Sequence, residues 1–83
     1  MEYICNMKEI DKSIAKVLRE IRETRKISQE ALSFEAGLHR TYISQLERGV
    51  KAVTVKTLLK ITDALSIEID EFIKLVNHDR KSI

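Results

Sequence analysis

The chain contains no proline and only two glycines, Gly37 and Gly49, in 83 residues. Proline and glycine interrupt regular backbone more often than other residues, so their scarcity favours long helices with few, well-marked breaks. Apolar residues recur at three- and four-residue spacing on both sides of the glycines, which is the period of a helix with one buried face. The sequence therefore predicts an all-α chain with breaks near positions 37 and 49.

Spacing and capping residues together predict five helices, spanning about residues 8–25, 29–36, 40–48, 55–64 and 68–77. Ser28 and Thr54 are typical N-caps for the second and fourth helices, and His39 occupies the cap position of the third. Gly37 and Gly49 are expected to end the second and third helices in the left-handed conformation. Ser66 stands in the turn before the fifth helix.

The predicted core is formed by one apolar stripe per helix. These stripes are Ile10, Ile14, Val17, Leu18 and Ile21; Ala31, Leu32 and Phe34; Ile43 and Leu46; Leu58, Leu59, Ile61 and Leu65; and Ile69, Phe72, Ile73 and Val76. A chain of this length buries one modest core, so we expect a single domain over residues 1–83. Its ordered part should span about 8–77, with frayed tails at 1–7 and 78–83.

Composition excludes several classes of protein. Hydrophobic residues make up 43% and charged residues 34%, as in a globular domain. No apolar run approaches the roughly 18 residues of a membrane span, and the N-terminus lacks the pattern of an export signal. Cys5 is the single cysteine, so no internal disulfide can form, and the cytoplasm is the expected compartment.

The net charge of +2 is unevenly distributed. Residues 36–60 contain five basic side chains and one acidic side chain, whereas acids predominate from residue 61 onward. Such a segment is ordinarily a solvated surface. It gains a functional interpretation here because a recognisable pattern lies within it.

Residues 28–49 read S-Q-E-A-L-S-F-E-A-G-L-H-R-T-Y-I-S-Q-L-E-R-G. Two short helices joined by a tight glycine turn are the helix-turn-helix arrangement, in which the second helix enters the DNA major groove. Over about residues 10–76 the chain resembles the phage-repressor-like helix-turn-helix regulators. Its R-T-Y-I-S-x-x-E-R segment, residues 40–48, is especially similar to controller proteins of restriction–modification systems. The resemblance implies a compact five-helix, lambda-repressor-like domain that dimerises through its last two helices.

The resemblance also implies roles for individual residues. Gln29 would bind a DNA phosphate, and Tyr42 would contact the backbone or sense DNA shape. Arg22 and Glu47 would form a structural ion pair between the first and third helices. The side chains facing the major groove would be Arg40, Thr41, Ser44 and Gln45. The sequence departs from the family at two positions, since His39 replaces the usual capping residue and Ser66 replaces a frequent glycine.

The chemistry of these side chains agrees with base recognition. Arg40 can donate twice to guanine, Gln45 can pair with adenine, and Thr41 can contact a thymine methyl group. Positions 40, 41, 44 and 45 lie on one helical face. The basic side chains that follow, Arg48, Lys51 and Lys56, are expected to contact phosphates, which fixes register without reading sequence.

The apolar residues of the last helix, Ile69, Phe72, Ile73 and Val76, have two interpretations. They can close the monomer core, and some can form a dimer interface. One unit of this size buries little surface on DNA, so we expect a homodimer on a palindrome with half-sites about 10 base pairs apart.

No pattern indicates an enzyme, a metal site or a cofactor. The two histidines lie far apart without a cysteine cluster, nothing aligns a catalytic triad, and no glycine-rich phosphate loop is present. We also expect no small-molecule ligand, because no second domain would hold one.

Two functions remain. The first is a sequence-specific regulator of double-stranded DNA, which represses by occupying a promoter or activates by touching RNA polymerase through the acidic residues Glu68, Asp70 and Glu71. The alternative is a protein-interaction module such as an antitoxin. The absence of a long disordered extension argues against the alternative.

Overall fold

The computed structural model describes the backbone of residues 2–81 and the side chains of residues 9–81. The chain forms five helices, namely α1 (Glu2–Thr24), α2 (Gln29–Ala36), α3 (Arg40–Glu47), α4 (Val55–Ala64) and α5 (Ile69–Lys81). These residues contain no β-strand, so the all-α prediction is confirmed. The Cys5 side chain lies outside the described part.

The helix bounds agree with the sequence in the middle of the chain and differ at its ends. α2 and α4 have the predicted bounds, whereas α1 begins at Glu2 rather than near residue 8 and α5 ends at Lys81 rather than near residue 77. The sequence at both ends contains neither glycine nor proline, and nothing in it stops a helix. The frayed segments predicted at 2–7 and 78–81 are therefore helical.

The helices enclose one core. α1 packs against α3 and α5, α2 packs against α3 and α4, and α4 contacts α5. Each helix contributes side chains that are almost completely buried: Leu18, Leu32, Ile43, Leu46, Ile61 and Phe72, with Leu65 just after α4. The short α2 and α3 thus pack on each other, with α1 supporting α3 and α4 supporting α2.

The inward face of α2 differs from the prediction. Leu32 is buried as expected, but Ala31 is exposed and Phe34 is 84% exposed. Ser33 and Ala36 are buried instead. Ser33 can lie inside because its hydroxyl donates to the carbonyl oxygen of Glu30 at 2.7 Å, so its polar group keeps a partner.

In α1, Ile10 was placed in the buried stripe, yet it is 37% exposed. It lines an open depression between α1 and α5, opposite Ile73 and Asn77, which leaves part of its side chain to solvent.

The breaks between helices follow local chemistry in most places. Ser28 Oγ accepts from the backbone N–H of Ala31 at 3.0 Å, and Thr54 Oγ1 accepts from that of Thr57 at 3.1 Å, so both predicted caps are confirmed. Gly37 adopts the left-handed conformation with φ of 69°. His39 makes no side-chain capping bond.

Two residues other than glycine also adopt the left-handed conformation, Lys26 with φ of 58° and Ser66 with φ of 57°. A side chain makes this conformation about 1–2 kcal/mol less favourable. The turn at Ser66, where the family often has glycine, is therefore strained.

Candidate nucleic-acid interface

The two faces of α3 differ in polarity and in exposure. Ile43 and Leu46 are buried at 0% and 2% exposure and fix the helix to the core. On the opposite side Arg40 and Thr41 are exposed, and Ser44 and Gln45 are half-buried. The four side chains predicted to read bases therefore lie together on the solvent side of one short helix.

Tyr42 lies at the edge of this face. Its ring is half-buried against the core, and its hydroxyl donates to the carbonyl oxygen of Ala52 at 3.4 Å. This bond joins α3 to the segment between α3 and α4. Tyr42 thus braces the loop that contains Lys51.

Glu47 is the last residue of α3 and is only 4% exposed. Its carboxylate accepts from both Nε and Nη2 of Arg22, at 2.5 and 3.0 Å, in a bidentate ion pair. The Oε1 atom also accepts from Nε2 of Gln29 at 3.0 Å. One carboxylate therefore connects α1, α2 and α3.

Arg22 is half-buried, and its guanidinium donates hydrogen bonds to several acceptors. Its Nη1 atom donates to the carbonyl oxygen of Ile27 at 2.7 Å, which fixes the turn between α1 and α2. The hydrogen bonds to Glu47 raise the pKa of the guanidinium above its ordinary value, against the opposing effect of burial. Arg22 thus joins the last turn of α1 to Glu47 and to the turn that follows through charge-assisted hydrogen bonds.

Gln29 occupies the first position of α2, next to the Ser28 cap. The first backbone N–H groups of a helix lack partners within the helix and carry the positive end of its dipole, which suits an anion. The bond from Gln29 to Glu47 fixes the side-chain amide beside this helix end. That amide nitrogen carries a second N–H, which the bond to Glu47 leaves for another acceptor.

The basic side chains predicted to flank α3 are all exposed. Arg48 directly follows α3, Lys51 lies in the next loop and Lys56 lies in the first turn of α4. The ion pairs found among residues 9–81 involve Lys16, Arg22, Glu23, Glu47 and Asp79. Arg40, Arg48, Lys51 and Lys56 therefore retain positive charge that no described carboxylate neutralises.

The four candidates for a dimer interface have different environments in α5. Phe72 and Val76 are buried at 0% and 6% exposure, so they close the monomer core. Ile69 is partly buried and packs against the same core. Ile73 is 46% exposed. Of these four, Ile73 alone presents a large apolar surface.

Two contacts of this region were missed by the sequence analysis. Gln29 Nε2 reaches Glu47, and Arg19 Nη1 donates to the backbone carbonyl of Glu47 at 3.2 Å, which satisfies an acceptor at the end of α3. These partners lie 18 and 28 positions apart, and no local pattern relates them.

We also searched the described residues for a metal site and for a membrane-spanning helix. No group of three or more His, Cys, Asp or Glu side chains within 9–81 is arranged to hold a metal ion. None of the described helices is long and apolar enough to cross a membrane.

Comparison with known proteins finds similarity to helix-turn-helix proteins and to control proteins. A family model described as helix-turn-helix matches residues 18–72. Control protein C.BamHI of Bacillus amyloliquefaciens is 46% identical over 52 residues, which are 61% of this chain and 64% of that protein. Control protein C.SmaI of Serratia marcescens is 37% identical over 70 residues, covering 84% of this chain and 82% of that one.

A solved structure extends the similarity to the fold. The restriction–modification controller protein C.Esp1396I, crystallised as a tetramer in complex with its natural 35-base-pair operator, superposes with a TM-score of 0.80 at 28% identity. The match covers 86% of this chain and 93% of that one.

Proposed function

This chain belongs to the helix-turn-helix family of DNA-binding regulators, among the restriction–modification controller proteins, and we propose that it binds a palindromic operator as a homodimer. In this role α3 enters the major groove and places Arg40, Thr41, Ser44 and Gln45 against base edges. The observation that carries the proposal is the exposed polar face of α3 on a helix whose opposite face is fixed in the core. The relatives are control proteins, which favours a regulator over an antitoxin.

Contacts to the DNA backbone come from two sides of α3 in this proposal. The N-terminal end of α2 with Gln29 meets one phosphate, and the exposed cations Arg48, Lys51 and Lys56 meet others. Phosphate contacts orient the protein, and base contacts supply specificity. Tyr42 acts through the loop it braces, so it influences how Lys51 approaches the backbone.

Regulation follows from occupancy of a promoter in the cytoplasm. A bound dimer represses when it blocks polymerase, and it activates when it offers polymerase a favourable surface. The acidic side chains Glu68, Asp70 and Glu71 are exposed at the start of α5 and are our candidates for that surface. We propose no small-molecule ligand or cofactor, so protein concentration sets occupancy.

The experiment that tests the proposal is selection of duplexes from a random library, followed by affinity measurements across salt concentrations. We expect an enriched palindrome whose half-sites lie about one helical turn, roughly 10 base pairs, apart. Affinity should fall steeply with salt, because bound cations displace counterions from phosphates. Selection of no common sequence would refute the proposal.

Two variants separate base reading from phosphate binding. Arg40→Ala should weaken operator binding by about 1–3 kcal/mol and relax preference at one base position. Lys51→Ala should weaken binding to all sequences alike and reduce the salt slope by about one. Lys81→Ala removes the same charge at the end of α5 and serves as the control, with an unchanged slope. If Arg40→Ala keeps full specificity, Arg40 does not read bases.

A further inference from the structure

Three donor side chains meet at Glu47, the residue that ends α3, and we call this meeting point of α1, α2 and α3 the Glu47 junction. The Glu47 carboxylate accepts from Arg22 and Gln29, and its backbone carbonyl oxygen accepts from Arg19 Nη1 at 3.2 Å. Arg22 neutralises the buried carboxylate, whereas Arg19 contacts an uncharged carbonyl group. Arg19 therefore brings to the junction a positive charge that Glu47 does not cancel.

The Arg19 side chain keeps most of its hydrogen-bonding capacity. It is exposed, and its planar guanidinium carries five N–H donors, of which the bond to Glu47 uses one. None of the ion pairs among residues 9–81 involves Arg19. The bond to the carbonyl oxygen thus orients the guanidinium, and its remaining donors can bind an anion that approaches from solvent.

The Gln29 side chain indicates which anion the Glu47 junction would bind. Gln29 Nε2 donates to the Glu47 carboxylate at 3.0 Å, so it lies beside a residue that Arg19 also contacts. Gln29 begins α2, and the free N–H groups at the start of a helix favour an anion. With α3 on its operator, the nearest anions are phosphates of the DNA backbone.

We infer that Arg19 binds the same DNA phosphate as Gln29, so that α1 contacts the operator together with α2 and α3. The inference rests on the proposed binding of DNA, and it adds a residue that precedes the helix-turn-helix to the backbone contacts. A hydrogen bond between a guanidinium and a phosphate is about twice as strong as one between neutral groups. Arg19 therefore supplies most of the binding energy at that phosphate.

One acidic side chain of α1 opposes this contact. Glu23 follows Arg19 by one helical turn, its side chain is 62% exposed, and its carboxylate lies 3.9 Å from Arg22 Nη2. A carboxylate at the Glu47 junction repels the phosphate that Arg19 attracts. Glu23 thus lowers the affinity for DNA, and neutralising it should have the opposite effect to neutralising Arg19.

The first test compares the salt dependence of affinity on a duplex of random sequence, which requires no knowledge of the operator. Arg19→Gln removes one positive charge and should lower the slope by about 0.9 for each bound chain. Arg19→Lys keeps the charge and should keep the slope. Lys16→Gln is the matched control on the same helix, because Lys16 Nζ already pairs with Asp79 at 3.0 Å, and it should leave the slope unchanged.

The second test locates the phosphate on an operator obtained by selection. A neutral methylphosphonate replaces one backbone phosphate at a time, and the position that weakens the wild type but not Gln29→Met is the phosphate that Gln29 contacts. We expect Arg19→Gln to lose its sensitivity at that same position and Lys51→Ala to lose it at another. Arg19→Gln should also bind the unmodified operator at least about 10-fold more weakly.

The third test uses Glu23→Gln, which should tighten binding by about 2–5-fold because it removes a charge that repels the phosphate. A residue that only supports the fold would produce neither this gain nor a loss confined to one phosphate. Circular dichroism of each variant establishes that the helices are intact.

Three outcomes would overturn the inference while the wild type still selects an operator. These are an unchanged slope in Arg19→Gln, full sensitivity of Arg19→Gln at the Gln29 phosphate, and no gain of affinity in Glu23→Gln. Failure of the wild type to select any operator would refute the proposed function, and the slope on random duplexes would then decide the role of Arg19 separately.

Discussion

α2 and α3 contain eight residues each, but they are held in place by different interactions. α2 has a side-chain cap at Ser28 and a left-handed glycine at Gly37, both supplied by its immediate neighbours in sequence. α3 has no side-chain cap, and its far end is tied through Glu47 to Arg22 and Gln29 on two other helices. Local interactions thus define α2, whereas tertiary contacts hold the far end of α3.

The largest expected effect comes from breaking the buried ion pair. Arg22→Met leaves the Glu47 carboxylate buried with Gln29 as its remaining side-chain partner, and we expect the free energy of unfolding to fall by about 3 kcal/mol. Urea denaturation measures this loss. Glu23→Gln is the control, because the Glu23 side chain is 62% exposed and lies 3.9 Å from the same arginine. Equal losses of unfolding free energy in the two variants would mean that the effect of Arg22→Met does not come from its ion pair with Glu47.

The two N-caps allow the same substitution to be compared in each helix. Ser28→Ala removes the acceptor of the Ala31 N–H and should destabilise the domain by about 1 kcal/mol. His39→Ala removes no capping bond and should change stability by less than about 0.5 kcal/mol. Thermal unfolding of the two variants side by side measures the difference. A loss at His39 equal to that at Ser28 would mean that α3 also depends on its cap.

The left-handed residues that follow α2 and α4, Gly37 and Ser66, should respond to substitution with smaller stability changes of opposite sign. Ser66→Gly relieves a left-handed serine and should stabilise the domain by up to about 1 kcal/mol, reduced by the entropy of glycine. Gly37→Ala should destabilise by about 1 kcal/mol. A Cβ at Gly37 would meet no atom within 4 Å, so that loss would report backbone conformation alone. Stabilisation by Gly37→Ala would contradict this account of how α2 ends.

The smallest effect concerns the contact between α1 and α5. Hydrogen bonds from Lys16 and Ser13 hold the pKa of Asp79 below its ordinary value. The ionised carboxylate therefore stabilises the fold at neutral pH, and this contribution is lost as the pH falls through the folded-state pKa. Asp79→Asn should lower the urea midpoint slightly at neutral pH, and the difference from wild type should disappear in acid. A difference that persists in acid would exclude this electrostatic cause.

The sequence predicted most of the fold because the strongest signals were local. Helical spacing, two capping hydroxyls and two left-handed glycines located the three central helices within one residue of their bounds. The prediction failed for Phe34 because α2 is short and weakly amphipathic, so its inward face is decided by contact with α3 and α4. It also failed at both chain ends, where no residue signals a stop.

For the interface, the sequence by itself determined which residues form α3 and that Arg40, Thr41, Ser44 and Gln45 share its polar face, because helical geometry fixes which positions lie together. The tertiary structure decided that one buried carboxylate joins α1, α2 and α3, and that Phe72 and Val76 belong to the core while Ile73 lies open beside Ile10. The physical reason is distance along the chain. Side chains 18 or more positions apart meet only when helices pack, and their burial depends on every neighbour at once.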